Sequence, residues 1–292
     1  MYELIQVSDN CYYIQSPAKI GVVKIGENEV CLIDSGSDKD AGKKALKHIS
    51  DNGWTLKAIY NTHSNADHIG GNKLIVERTG CDIYAYGIEC DFTNHPILEP
   101  AYLYGGYPFR ELCHKFLLAE PSCAKPLTSE ALPSGFEMIE LKGHFFDMVG
   151  FRTPDDVVYL ADALSSRETL DKYKIGVIYD VASYLDTLEA VKGMSAKLFV
   201  PSHAEPTDDI APLAQYNIDT VHEIANKIVE LCKAPLCFDA LLKKLFDEYS
   251  LSLSHQQYVL VGSTVRSYLS WLKNNGKVDA IIEDNMLLWG AI

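Results

Sequence analysis

"NTHSNADHIGG", residues 61–71, decides how the rest of the chain is read. It places two histidines, an aspartate and an asparagine within six residues, directly after the apolar run "LKAIY". Imidazole nitrogen and carboxylate oxygen are the donors that bind zinc and similar divalent ions. A tight loop at the end of a buried strand can aim His63, Asp67 and His68 at one point. Asp67 beside His68 can serve one ion while His63 serves another close by. A lone histidine is usually structural, but this density of donors in one loop is hard to explain that way.

Working outward, the flanking sequence alternates strand and helix signals. "NCYYIQ" and "IGVVKIG" read as paired strands, and "EVCLIDSG" as a buried strand ending in a turn. Residues 39–50 read as an amphipathic helix, and "GGNKLIVERTG" as a short helix closed by Gly80. After "DIYAY" the rhythm breaks. Residues 89–128 are rich in aromatics and proline and read as an insertion that either covers a site or packs structurally. Strand signals resume in "FEMIELKG", "MVGFRTP" and "DVVYLADAL", with Pro154-Asp155-Asp156 as a hairpin turn. A helix at "SYLDTLEAVKGM" and a last strand, "KLFVPSHAEP", follow. This order indicates a layered α/β arrangement.

Three more donors fall at the ends of these later strands. His144 follows "ELKG", Asp162 ends "VVYLAD" and His203 ends "LFVPSH". Singly, each reads as a hydrogen-bonded boundary residue. Together they supply one carboxylate able to bridge and two imidazoles.

From residue 212 the composition turns helical. "DTVHEIANKIVELCK", "FDALLKKLFDEY" and "QQYVLVGSTVRSYLSWLKNNG" read as helices, and "KVDAIIEDNMLLWGAI" as a hairpin around Glu283-Asp284-Asn285. This order suggests a small winged-helix-like unit, giving domains 1–211 and 212–292. Residues 235–292 carry five Lys/Arg against six Asp/Glu. That balance argues for packing or homodimerisation over reading DNA.

The composition fits these signals. The 292 residues are 47% hydrophobic and 23% charged, as in a globular protein with a sizeable core. A net charge of −14 disfavours nucleic acid as a partner. No apolar run reaches membrane-spanning length, and the N-terminal stretch lacks a signal-peptide pattern, so a cytoplasmic location is expected. The eight cysteines form no CxxC pair and read as reduced, partly buried thiols.

Taken together, Asp34 in "LIDSG", the His63-Ser64-Asn65-Ala66-Asp67-His68 loop, His144, Asp162 and His203 resemble the motif series of the metallo-β-lactamase-fold hydrolase superfamily. The C-terminal segment resembles that of its winged-helix, β-lactamase-like-2 branch. The resemblance implies an αβ/βα four-layer sandwich with metals at one edge. It further implies a first metal site of His63, position 65 and His144, a second of Asp67, His68 and His203, and Asp162 bridging the two. The implied cofactor is zinc, one or two per chain, with iron or manganese as alternatives.

The family motif has a third histidine where this chain has Asn65. An amide oxygen is a weak zinc ligand beside imidazole. Asn65 therefore reads as a poor ligand, as a hydrogen-bond partner of a metal-held water, as a shift toward a harder metal, or as the mark of a degenerate site. "GHFFDM" departs from the family's GH-x-P-G. Asp147 is expected to hold that turn, as aspartate tolerates left-handed backbone angles, with an extra carboxylate near the metals as the alternative. Glu205 in "SHAEP" is read either as a partner of His203 or as facing solvent. "YLYGGYPF" is read as a pocket wall or as core.

The implied chemistry is hydrolysis by a metal-activated water, with Asp67 or Asp162 orienting it and carrying its proton, and Asp34 bracing the loop. The expected substrate is a small ester, thioester or lactone. A β-lactam is disfavoured, because Asp162 stands where such enzymes usually have cysteine. The competing readings are a ribonuclease-type phosphodiesterase and a non-catalytic, metal-poor protein acting through its C-terminal domain.

Overall fold

The computed structural model describes residues 2–292. Seven strands form a first sheet: β1 (Leu4–Gln6), β2 (Cys11–Ile14), β3 (Ile20–Lys24), β4 (Glu29–Ile33), β5 (Thr55–Asn61), β6 (Asp82–Ala85) and β7 (Ala124–Pro126), in that spatial order. The pairs from β1 to β4 are antiparallel and those from β4 to β7 parallel. A second sheet holds β8 (Glu137–Glu140), β9 (Val149–Arg152), β10 (Val157–Ala161) and β11 (Leu198–Pro201), in the order β11-β10-β9-β8. Only β10 and β11 run parallel there as neighbours.

Alternation along the strands builds the layers. Cys31 and Ile33 of β4 face Val157 and Tyr159 of β10 in a core between the sheets. Val30 and Leu32, on the other face of β4, pack under α1 (Lys39–Asp51) and, after α2 (Ala66–Ile69), under α3 (Asn72–Thr79). Val158 and Leu160, on the other face of β10, pack beneath a second helical layer. The result is the expected αβ/βα sandwich. Asp38 caps α1 by accepting from the backbone N–H groups of Asp40 and Ala41. Gly80 closes α3 at φ +69°.

The segment 89–128 folds into α4 (Glu89–Asn94), α5 (Leu98–Tyr104) and a short 3-10 turn before β7. Beyond the second sheet come α6 (Arg167–Tyr173), α7 (Val181–Lys192), α8 (Ala211–Leu231), α9 (Phe238–Glu248) and α10 (His255–Asn274). A small sheet closes the chain, with β12 (Leu236–Cys237) paired to β14 (Met286–Ala291) and β14 to β13 (Val278–Glu283). The expected hairpin turn is present, with Asp284 and Asn285 both at positive φ. The helix expected to begin at Asp219 begins at Ala211 instead, where Pro212 sits in its first turn. Helices α6 and α2 and strands β1, β7 and β12 are too short to carry a periodic signal.

One apolar cluster spans the outer face of the second sheet, α7, α8, α9 and α10, joining Val158 and Leu188 to Leu241, Leu269 and Val278. Among the described residues all eight cysteines are free, five of them buried, and no helix is long and apolar enough to cross a membrane.

Candidate metal centre

The ends of β5, β8, β10 and β11 bring six of the seven marked side chains into two groups. His63, His144 and Asp162 form one group, and Asp67, His68 and His203 the other, with candidate ligand atoms in each group within 4.8 Å of one another. Strands β8 and β10 run in the same direction, as do β10 and β11, so His144, Asp162 and His203 emerge at one edge. Asp162 touches both groups. Its Oδ1 lies 3.2 Å from His68 Nε2, and its Oδ2 lies 3.2 Å from His203 Nε2 and 3.7 Å from His144 Nε2.

Each imidazole is held by its Nδ1. Asp34 accepts from His68 Nδ1 at 2.8 Å, Val177 O from His144 Nδ1 at 2.9 Å, and Pro17 O from His203 Nδ1 at 2.8 Å. Thr62 Oγ1 donates to Asp34 at 2.7 Å, so at 3.0 Å it accepts from His63 Nδ1. All four Nε2 atoms are thereby turned inward, where a metal ion would find them. The buried Nε2 atoms of His63 and His68 and Oδ1 of Asp162 make no hydrogen bond. Buried polar atoms are rarely left without a partner. Here the orphans converge, as a divalent cation requires.

The electrostatics agree. Burial, reinforced by neighbouring His68, holds His63 well below the usual histidine range, so its imidazole is neutral. Burial opposes charge on Asp67 and Asp162, yet positive charge on the adjoining His68 and His203, which the same carboxylates favour in the metal-free protein, keeps both carboxyls ionised; a bound cation would take over that role and displace the imidazole protons. Three nitrogen or carboxylate donors in each group match the ligand chemistry of zinc.

Asn65 lies at the edge of the first group. Its Nδ2 donates to Glu99 Oε1 at 2.9 Å, which turns its Oδ1 toward His144 Nε2, 3.2 Å away. Glu99 comes from α5 and is 4% exposed, and burial pushes its carboxyl well above the usual range. A second buried carboxylate, Glu89 of α4, accepts from Ser64 N (2.9 Å), Ser64 Oγ (2.6 Å) and Asp147 N (2.9 Å). Glu89 thus ties the histidine loop to the loop after His144. Neither glutamate is legible in the sequence. Both sit in the segment of weak periodicity, and nothing there marks a buried acid.

One expectation needs correction, and two open readings are resolved. Asp147 does not hold its turn by a left-handed backbone. Gly143 has that role at φ +113°, where an added Cβ would lie 2.2 Å from Tyr184 N. Asp147 instead accepts from Ile88 N at 3.1 Å and belongs to neither donor group. Of the two readings of Glu205, the solvent-facing one holds: it is exposed, and Pro17 O accepts from His203 Nδ1. The tyrosines of 102–109 do not wall the cavity beside the centre. Tyr102 packs edge-to-face against Phe145, Phe146 and Tyr179, and Tyr107 is exposed, while Leu103 between them is the one that reaches the cavity.

Asp34 and Ala161 adopt left-handed angles (φ +63° and +50°) at the ends of β4 and β10, next to the centre. Non-glycine residues held this way concentrate at functional sites. Asp34 braces the loop as expected, accepting from Thr62 N, Thr62 Oγ1 and His68 Nδ1.

The sequence profile of the metallo-beta-lactamase superfamily matches residues 9–203. Among characterised proteins, a hydroxyacylglutathione hydrolase of Erythrobacter litoralis is 48% identical over 56 residues, 18% of this chain and 22% of that protein. Its counterpart in Pelagibacter ubique is 35% identical over 65 residues, 22% of this chain and 26% of that protein. The chain thus spans about a quarter of the length of these relatives. Among solved structures, a metallo-beta-lactamase family protein from Thermus thermophilus superposes with a TM-score of 0.75 at 16% identity, covering 98% of this chain and 100% of that one. A beta-lactamase domain protein from Burkholderia ambifaria gives 0.73 at 15% identity, covering 99% and 94%. At such identities the likeness is one of fold.

Proposed function

The chain belongs to the metallo-beta-lactamase superfamily of hydrolases, and from that premise we propose that it hydrolyses a small ester, thioester or lactone with one or two divalent metal ions, zinc first among them. The observation that carries this reading is the convergence of four inward-turned Nε2 atoms on Asp162, with three buried donors orphaned. His63, His144, Asp162 and the amide oxygen of Asn65 would hold one ion, and Asp67, His68, His203 and Asp162 the other. A bound ion of this kind lowers the pKa of a water and polarises the carbonyl under attack.

The chain's own residues do the rest. Asp162 is shared by both groups and keeps them in register. Asp67 is about one-third exposed and faces the adjoining cavity, so its carboxylate can orient the attacking water and take its proton. Water oxygen bonds to the acyl carbon, the C–O or C–S bond breaks, and the proton held on Asp67 passes to the departing alcohol or thiol. Asn65 makes the first group the weaker one, because its neutral oxygen stands in for an imidazole. The thioester option gains support from the short, high-identity matches to hydroxyacylglutathione hydrolases. The acidic net charge weighs against a phosphodiester.

Metal analysis of purified, zinc-reconstituted protein, run beside an ester, thioester and lactone panel, tests this. Bound metal with hydrolysis of at least one class is expected, and Asp162→Asn should abolish both. A chain that takes up no metal and hydrolyses nothing after reconstitution overturns the reading.

A further inference from the structure

We infer that the substrate carries an uncharged, flexible apolar arm, a hydrocarbon chain on an ester or thioester, and that this arm lies in a cavity closed by the C-terminal helices. The inference rests on the hydrolase reading above and adds to it the class of substrate.

The cavity begins at Asp67, Asp162 and His203 and measures about 750 Å³. Its walls come from four separate parts of the fold: Leu103 of α5, Leu164 and Ile175 on either side of α6, Val221 and Ile224 of α8, and Leu260 of α10. At about 30 Å³ per water in the liquid, the space exceeds what a hydrolytic water and a small acyl group need. Polar side chains such as Ser165, Asn217 and Gln257 also line it, but aliphatic and aromatic groups make up most of the wall, and mostly apolar pockets accept apolar ligands.

Charge narrows the class further. Among the described residues, Lys174 is the one lysine or arginine lining the cavity, and Glu223 already pairs with it at 2.7 Å. An arm bearing phosphate or carboxylate would find no free cation there.

The test uses the full-length, metal-loaded protein and separates binding from chemistry. Calorimetric titration with butanol, hexanol, octanol and decanol reads the arm alone. Affinity should rise about fourfold per added methylene. Leu260→Trp, which narrows the cavity from α10, should flatten that rise. Val221→Phe narrows it from α8 and replaces the first variant if thermal melts show the tryptophan is not tolerated. Decanol binding no tighter than butanol overturns the inference, as does an unaltered chain-length profile in a folded variant. Matched p-nitrophenyl acyl esters and alkyl acetates of increasing length then place the arm on the acyl or the leaving side. Tight decanol binding with no ester, thioester or lactone hydrolysis would sink the hydrolase reading and leave the cavity assignment standing. Hydrolysis without chain-length dependence would do the reverse.

Discussion

At the scale of single residues, Asn65 and the two buried glutamates decide how the centre behaves. Replacing Glu99 frees the Asn65 amide to rotate, and groups that orient a ligand are commonly worth about ten- to a hundredfold in metal affinity. Glu99→Ala should therefore weaken zinc binding at the first group, the weaker of two binding steps, by about tenfold or more, read by competition with a chromophoric chelator, and leave the tighter step little changed. Asn65→His should tighten that same weaker step, since an imidazole replaces an amide oxygen. Glu89 makes a pH prediction. Burial pushes its carboxyl up to about 7 from 4.5. A raised carboxyl binds its proton more tightly in the folded protein. Its contribution is therefore fully present below the unfolded value and lost as pH rises through about 7. Denaturant midpoints of the metal-free protein should fall between about pH 5 and pH 8, by up to about 3 kcal/mol from this group. Glu89→Gln should flatten that slope and lower stability at about pH 5, because its amide group sets a donor against Ser64 N or Asp147 N.

At the scale of elements, the strands that deliver donors are readable because each ends an apolar run: "LKAIY" before His63, "VVYL" before Asp162, "LFVP" before His203. Alternation sets which face of each strand is buried, and the order of runs sets the layers. What surrounds the donors is less legible. Asp147 reads as the turn-former after His144, yet the backbone strain falls on Gly143 four residues earlier, where Tyr184 of α7 presses against it. That is a tertiary contact with no local sequence signal. Gly143→Ala should cost about 2–4 kcal/mol, from the φ of +113° and the clash with α7 together. It should also lower zinc affinity, because His144 is the next residue. The 89–128 segment is recognisable as an insertion from its broken periodicity. Its most informative residues, Glu89 and Glu99, are not, since burial of an acid depends on partners brought from elsewhere in the chain.

At the scale of the whole molecule, metal and fold should stabilise each other. A ligand that binds only the folded state raises stability by mass action, about 2.7 kcal/mol at a hundredfold excess over Kd. Zinc-loaded protein should accordingly melt higher than chelator-treated protein, and Asp162→Asn should erase most of the difference. The C-terminal helices share one apolar cluster with the second sheet, so truncation at residue 211 should yield an insoluble or unfolded product. They also reach the centre through hydrogen bonds. Thr264 of α10 accepts from Ile178 N at 3.0 Å and donates to Gly176 O at 3.1 Å, and between these two lies Val177, whose carbonyl orients His144. A chain emerging from the ribosome has released its last metal donor at His203, about sixty residues before the hydroxyl that fastens this loop. Synthesis therefore supplies every donor early and the brace late.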